Sequence, residues 1–225
     1  MIYLNKLIRR YLLNKCITTI MVIFIVSCYS RQTINGSGHV ISESRELMNF
    51  NVLELTGSID VNMKSGNGYS CIVEGDDNLI PFVITKVKNH KLQISVKESY
   101  STKNGLVVNI VAPEYDEVSL IGSGDINLTE VDGDNVSLKI SGSGDITASG
   151  IVSRLTAEIN GSGDLMLKNL QADYATIMIN GSGDAEIWAK ESLRAEVNGS
   201  GDIEYHGNPT NIQSEVNGSG DIIKN

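Results

Sequence analysis

Short segments in which apolar and polar residues alternate recur through the second half of the chain. In 136–140, three aliphatic residues alternate with Ser137 and Lys139. A period of two predicts a β-strand with one buried face and one solvated face. A second, shorter alternating strand follows a few residues later, as in 146–148. The first type of strand recurs at 155–159, 175–179, 193–197 and 212–216.

The two kinds of strand are joined by one tetrapeptide, Gly-Ser-Gly-Asp, which begins at Gly122, Gly142, Gly161, Gly181, Gly199 and Gly218. Successive copies are 18 to 20 residues apart. A fixed turn at nearly fixed spacing predicts a solenoid, in which each repeat forms one coil. Two other repeat folds fit less well. Leucine-rich repeats have a similar length, but their Leu-x-x-Leu-x-Leu frame is absent, and a propeller blade needs about twice this length. We therefore predict an all-β fold, a parallel β-helix with coils of about 19 residues. The variable segments between strands, such as 129–135, are predicted to be loops.

The residue types in the turn have physical reasons. Glycine takes positive φ without a Cβ penalty, so we expect turn glycines such as Gly163 to adopt it. Asparagine tolerates a left-handed backbone, and stacked asparagine side chains can form hydrogen-bonded ladders. Asparagine precedes four of the turns, at Asn160, Asn180, Asn198 and Asn217.

The first half of the chain is less regular. Two degenerate copies of the turn begin at Gly36 and Gly57, and the period then lapses until Gly122. Turn signals at Asn67-Gly68 and Asn89-His90 separate further strand candidates, which are 70–73, 82–87, 92–96 and 106–111. We predict a small insert of antiparallel strands in the N-terminal half, at about 61–117, packed beside the first coils.

These motifs together resemble the head GIN domain family. The resemblance is carried by Phe-Asn-Val-Leu-Glu-Leu-Thr-Gly-Ser-Ile-Asp-Val at 50–61, Val-Glu-Gly-Asp-Asp-Asn-Leu at 73–79, and the Gly-Ser-Gly-Asp series. It covers about 36–225. Members are described as adhesins of the autotransporter type, so the resemblance implies a β-helical protein of the cell envelope, secreted or lipid-anchored. It implies no catalytic residues.

The N-terminus has the pattern of a secretion signal. Residues 1–27 hold four basic residues and no acidic one, and an apolar run occupies 17–26. The run ends in Ile-Val-Ser-Cys, which resembles a bacterial lipobox. We predict a signal peptide at 1–27, a lipidated Cys28, a tether at 28–35 and a β-helical domain at 36–225. The expected location is the bacterial cell envelope, as an outer-membrane lipoprotein facing the periplasm, with the membrane as partner through the lipid.

Charge and cysteine content narrow the partners. Without residues 1–27 the formal charge is 14 − 27, or −13. This acidic balance disfavours nucleic acid as a partner. Beyond the leader and Cys28, the remaining cysteine is Cys71, so no intramolecular disulfide is expected. Its strand-like surroundings predict a small buried apolar residue rather than a reactive thiol.

The aspartates of the turns are expected to form a ladder along one edge of the helix. If each carboxylate accepts N–H groups of its own turn, the ladder is structural. The alternative is a weak cation site, with calcium between rungs. Calcium takes about six to eight oxygens, more than these rungs offer, so we favour the structural hypothesis and predict no metal and no cofactor. The residues are Asp125, Asp145, Asp164, Asp184, Asp202 and Asp221.

Catalytic motifs are missing from the sequence. His39, His90 and His206 share no metal-ligand spacing, and no nucleophile elbow or phosphate loop occurs. We therefore predict a non-enzymatic protein whose surface serves adhesion, interaction or structure, with an envelope protein or a glycan as partner. Trp188 is the candidate for stacking on a ligand. The alternative is a carbohydrate-active enzyme similar to polysaccharide lyases, or a glycan-binding module, on the same fold.

The last repeat suggests one further partner. It begins at Gly218 and holds two adjacent apolar residues, Ile222 and Ile223. An open solenoid end exposes strand groups that can pair with another chain. End-to-end self-association through this C-terminal coil is therefore a hypothesis to test.

Overall fold

The computed structural model describes residues 33–225, so the predicted signal peptide, Cys28 and most of the predicted tether lie outside the described residues. The described part is almost entirely β-structure, with one 3₁₀ turn at Ile80–Phe82. The strands are β1 (Ile34–Asn35), β2 (Val40–Ser44), β3 (Val52–Gly57), β4 (Asp60–Ser65), β5 (Ser70–Asp76), β6 (Val83–Lys88), β7 (Lys91–Val96), β8 (Tyr100–Ser101), β9 (Leu106–Ala112), β10 (Glu117–Gly122), β11 (Ile126–Gly142), β12 (Ile146–Gly161), β13 (Leu165–Gly181), β14 (Ala185–Gly199), β15 (Ile203–His206), β16 (Asn211–Val216) and β17 (Ile222–Lys224).

The predicted parallel β-helix is confirmed. Strands β11 to β14 each run from one Gly-Ser-Gly-Asp turn to the next, and each pairs in parallel with its successor. The register places equivalent residues of successive repeats opposite each other, so that Gly142 pairs with Gly161. Strands β15, β16 and β17 continue the same stack at the C-terminal end.

Stacked apolar columns form the interior, because alternate side chains of the stacked strands β11 to β14 point inward. Leu138, Ala157, Ile177 and Ala195 lie in one such column, and all are buried. Burial of a leucine or isoleucine side chain contributes about 1.5–3 kcal/mol, and every coil adds several. Tyr205 lies in an inward column and is buried, as the alternation predicts.

The segments between the strands differ from the prediction. Residues 129–135 are not a loop: they continue strand β11 through a register shift between Leu128 and Val131. The shift is a bulge-like irregularity that bends the strand without ending it. Val131 in β11 and Leu170 in β13 are buried although they are out of phase with the buried residues that follow each turn, so strict alternation does not identify them.

The N-terminal half contains the predicted antiparallel strands, but it also contributes to the stack. Strand β5 pairs antiparallel with β2 and β9, and β6 pairs antiparallel with β7. However, β7 pairs in parallel with β3, and β9 pairs in parallel with β4. The β3–β4 coil therefore lies between the β7–β9 coil and the β10–β11 coil, so the stacking order differs from the chain order.

The two degenerate copies of the turn occupy different places in the fold. Gly57 stacks in register with Gly122, so it is a genuine copy of the turn. The segment at Gly36 instead follows β1, which pairs with β8, and it lies against the loop after β5. This segment is bound by Asp76, the last residue of β5, and by Asp77 and Asn78 of that loop, which together are called here the N-terminal clasp.

Hydrogen bonds to the segment define the clasp. Asp76 is buried, and its carboxylate accepts bonds from Thr102 Oγ1, from Asn104 Nδ2 at 2.9 Å and from the Gly38 N–H at 2.8 Å. The bond from Thr102 is the main cause that lowers the pKa of Asp76, followed by those from Asn104 and Gly38. Asp77 accepts a hydrogen bond from Ser37 Oγ, which lowers its pKa in the same way.

Candidate functional site

The two glycines of each turn differ in backbone conformation, although a Cβ on either one would overlap the preceding coil. The first has positive φ, as at Gly161, where φ is 149°. The second does not: Gly163 lacks positive φ, so that expectation was wrong. Instead, a Cβ placed on Gly163 would lie 2.1 Å from the carbonyl oxygen of Gly144 in the preceding coil. Close approach between coils, rather than a left-handed backbone, requires glycine at the second position.

The aspartate ladder exists, but its hydrogen bonds run between coils. The Asp164 N–H donates to Asp145 Oδ1 at 2.8 Å, and the Asp184 N–H donates to Asp164 Oδ1 at 2.7 Å. The expectation that each carboxylate binds its own turn was therefore wrong. The same bond recurs from Asp125, Asp145, Asp202 and Asp221 to the aspartate of the preceding coil.

The ladder begins one rung earlier than the tetrapeptide series predicts, because Asp125 donates to Asp60 Oδ1 at 3.0 Å. Asp60 closes the degenerate turn that begins at Gly57, which is the signal that identifies it in the sequence. Each carboxylate supplies an acceptor for a turn N–H that points along the helix axis. This role accounts for an aspartate in every turn without an ion.

An asparagine ladder runs beside the aspartate ladder, as predicted. Asn180 Nδ2 donates to Asn160 Oδ1, and Asn198 Nδ2 donates to Asn180 Oδ1, both at 3.0 Å. Asn217 continues the series to Asn198 at 3.1 Å. Both ladders thus tie successive coils together through side-chain amides and carboxylates.

A continuous surface, called here the ladder face, is formed by the aspartate ladder and the first outward residue after each turn. Two shallow grooves lie along it, each of about 260 Å³, and Met166 lines both. The first is lined by Asp60, Val61, Asn62, Val107, Asp125, Ile126, Asn127, Asp145, Thr147 and Met166. The second is lined by Asp164, Leu165, Met166, Asp184, Ala185, Glu186, Asp202, Ile203, Glu204 and Ile223. The lining residues include six aspartates and two glutamates, and neither lysine nor arginine.

The sequence-predicted stacking residue lies near one end of this face. Trp188 is half-buried in β14, where it pairs with Gln171 on one side and His206 on the other. His206 Nε2 lies 3.0 Å from Glu186 Oε1, and Lys168 Nζ lies 3.2 Å from Glu186 Oε2. Burial acts to raise the pKa of Glu186, but the hydrogen bonds from His206 and Lys168 outweigh it and lower the pKa.

This cluster was not identified by sequence reasoning. In the sequence His206 precedes a loop glycine, a context typical of an exposed residue. In the structure it is half-buried, and its ring lies beside two carboxylates, those of Glu186 and Glu204. The signal that could have revealed it is the register: Glu186 pairs with Glu204, two residues before His206.

The structure also gives the positions of Cys71 and of the C-terminal coil, both of which the sequence analysis discusses. Cys71 is buried in β5, and burial raises the pKa of its thiol to about 11, as expected for an unreactive packing residue. Strand β16 in the C-terminal coil is exposed along its whole length, with Ile212 at 44% exposure. Between 33 and 225, no helix is long and apolar enough to cross a membrane.

The sequence matches the profile of the family described as "Putative auto-transporter adhesin, head GIN domain" over residues 49–209. The match covers more than half of the chain, and the protein therefore belongs to this family. A comparison with curated protein sequences gave no significant match.

Several solved structures share the fold. A putative adhesin from Bacteroides fragilis NCTC 9343 is 23% identical, with a TM-score of 0.68 over 85% of this chain and 100% of the other. A putative adhesin from Parabacteroides distasonis ATCC 8503 is 21% identical, with a TM-score of 0.57 over 86% and 100%. A structure named as a putative lipid binding protein from the same organism is 23% identical, with a TM-score of 0.56 over 86% and 100%. At these identities, the similarity establishes the fold.

Proposed function

We propose that this protein is a lipid-anchored adhesion or interaction protein of the bacterial cell envelope, facing the periplasm from the outer membrane, and that the ladder face binds its partner. The observation that carries the proposal is the continuity of this face. Its two grooves meet at Met166 and run past the aspartates from Asp60 to Asp202. Membership of an adhesin family supports a surface role.

The dimensions of the ladder face suit an extended partner. Six inter-coil steps separate Asp60 from Asp221, which at about 4.8 Å a step is ~29 Å. Hydrogen bonds between coils hold each step in place, so little conformational freedom is lost on binding. A shallow and rigid strip of this length matches a polymer chain or a flat protein surface better than a small molecule, which binds in a concave pocket.

The charge of the ladder face indicates which chemical classes of partner it disfavours. Six aspartates and two glutamates line the grooves, so a polyanion would be repelled. A polysaccharide lyase that acts on acidic glycans would need basic groups at that position, and this argues against the enzyme alternative. A neutral glycan remains a candidate partner, because Trp188 offers an aromatic surface beside the second groove.

The binding proposal can be tested with a soluble chain that begins at residue 29. We expect it to retain an envelope glycan or protein from a glycan array or an envelope extract. Met166→Arg, at the junction of the grooves, should abolish retention. Ile151→Arg is the matched control, because Ile151 is exposed and lines neither groove. Equal retention by the two variants would refute the assignment of the ladder face.

The anchor is tested separately in cells. A palmitate analogue should label the wild-type protein, and Cys28→Ala should abolish the label. Cys71→Ala serves as the control, because Cys71 is buried in β5 and should not affect labelling. Labelling of the Cys28 variant, or none of the wild type, would refute lipidation.

A second proposed partner is another copy of the chain, bound end to end through the C-terminal coil. The exposed edge of β16, with Ile212 and Val216, favours this arrangement. Light scattering across a concentration series should show a dimer, and Ile212→Lys should remove it. A monomer at all concentrations would exclude self-association at this coil.

A further inference from the structure

Three metal-ligating side chains converge on the outer surface of β14 and β15. Glu186 and Glu204 occupy directly paired positions of neighbouring coils. His206 follows Glu204 by two residues, so both side chains point to the same side of β15. One ligand atom from each of the three residues lies within 4.8 Å of the others, and His206 Nε2 lies 3.0 Å from Glu186 Oε1.

The spacing is close to that of a metal site. Four ligand atoms at about 2.1 Å around a tetrahedral ion lie ~3.4 Å apart. One observed separation, 3.0 Å, is close to this value and the other two lie within 4.8 Å, so side-chain rotations could bring all three atoms into range. All three residues are half-buried on paired strands, which restricts their movement.

The chemistry of the donors selects the class of ion. One imidazole with two carboxylates is a ligand set for zinc and similar divalent transition metals, whereas calcium and magnesium prefer oxygen ligands alone. The cluster also contains two carboxylates directly opposite each other on neighbouring strands, a like-charge pair that Lys168 at Glu186 and the Asn225 amide at Glu204 relieve in part. A divalent ion would remove the remaining repulsion.

We propose that Glu186, Glu204 and His206 form a binding site for a divalent transition metal ion of the zinc or nickel class, with water completing the coordination. The site lies at one end of the second groove, which Glu186 and Glu204 line. It does not depend on the identity of the envelope partner.

Lys168 competes with a metal ion for the Glu186 carboxylate. Its ammonium group lies 3.2 Å from Glu186 Oε2 and neutralises one of the two carboxylates. A metal ion must displace this contact, which is exposed on the lysine side and therefore weak. Removal of the lysine charge should therefore strengthen metal binding. If the cluster were only an ion pair between His206 and Glu186, this substitution would not increase the affinity for a metal ion.

The chain carries its own reporter, because Trp188 is its single tryptophan and pairs with His206. Nickel titrated into the full chain, purified in detergent, should quench Trp188 fluorescence in a saturable way at one ion per chain. Zinc should displace nickel and restore the fluorescence, and a chelator should do the same. Calcium at about 1 mM should have no effect.

Variants separate the site from adventitious binding. His206→Ala and the isosteric Glu204→Gln should each weaken nickel binding by about tenfold or more, and Lys168→Met should tighten it. His39→Ala is the control, because His39 is exposed beside the N-terminal clasp. Circular dichroism and melting temperature establish that each variant is folded. Absence of quenching at about 1 mM nickel, quenching that both ligand variants leave unchanged, or equal quenching by calcium would each overturn the proposal.

Discussion

Alanine in place of the second glycine of a turn should force two coils apart. At Gly163, the new Cβ would lie 2.1 Å from the Gly144 carbonyl oxygen, and an ordinary contact of 3.4 Å is 1.3 Å longer. Because the atom in contact is backbone, a rotamer change cannot relieve the overlap. The coils must separate locally, or the turn must rotate.

The cost follows from the bonds at this rung. The Ser162 N–H donates to the Gly142 carbonyl at 2.9 Å, and the Asp164 N–H donates to Asp145 Oδ1 at 2.8 Å. A separation of about 1 Å takes both bonds beyond hydrogen-bonding distance. Loss of the two bonds and overpacking together should cost about 3–5 kcal/mol. For a domain of this size, that lowers the melting temperature by roughly 6–20 °C.

Two other glycines provide matched comparisons. Gly57 has φ of 115° with open space around its Cβ position, so Gly57→Ala tests backbone strain alone and should cost about 1–3 kcal/mol. Gly133 has neither problem, since its nearest neighbour is Val136 Cγ2 at 3.8 Å. Gly133→Ala should leave stability within about 1 kcal/mol of the wild type.

The assay is urea unfolding followed by circular dichroism, together with thermal melts, on all three variants. The expected order of destabilisation is Gly163→Ala, then Gly57→Ala, then Gly133→Ala. If Gly163→Ala and Gly133→Ala have the same midpoint, the coil-contact argument is wrong. If Gly57→Ala is the most destabilised, strain rather than close approach dominates the turn.

Three other outcomes are expected. Asp145→Ala removes the acceptor of the Asp164 N–H and should cost about 1–3 kcal/mol, whereas Asp145→Asn, which keeps an acceptor, should cost less; urea midpoints distinguish them. Because the pKa of Asp76 is lowered on folding, its contribution is complete above the ordinary pKa of about 3.9 and is lost as pH falls through the lowered folded value. The hydrogen-exchange protection factor of the Gly38 amide should therefore fall at acid pH before those of core amides, and in Asp76→Ala, which removes the acceptor, it should be low already at neutral pH. Cys71, with its thiol pKa raised to about 11, should react with maleimide only after unfolding; rapid native labelling would contradict its burial.

Much of the coil could be predicted from the sequence, because its determinants are local. The alternation in 136–140 sets which side chains face inward, and the repeated turn sets where each coil ends. Inward residues of different repeats then stack by register, as with Leu138 and Ala157. The sequence predicts positive φ at Gly163, which is the wrong reason for glycine there. The actual reason is the close approach to Gly144, which belongs to another coil and which a local pattern does not reveal.

The candidate site was harder to predict. Trp188 lies in the outward phase of its strand, but its neighbours His206 and Gln171 come from adjacent coils. A pattern in one strand does not indicate which polar residues share a surface across strands. The partnership of Glu186 with Glu204 and His206 depends on how many residues each intervening bend contains.

Local sequence patterns are enough to specify the architecture: period-two strands and a repeated turn predict a parallel β-helix, because the pleat and the turn geometry are properties of short segments. The stacking order and the hydrogen bonds between coils, in contrast, are visible only in the folded protein. The β3–β4 coil lies between the β7–β9 coil and the β10–β11 coil, although β7 and β9 come later in the chain than β3 and β4. Each carboxylate of the ladder accepts a hydrogen bond from an N–H of the following coil rather than from its own turn. Both results depend on contacts between residues far apart in the chain, where the energy of pairing, and not local propensity, selects the partner.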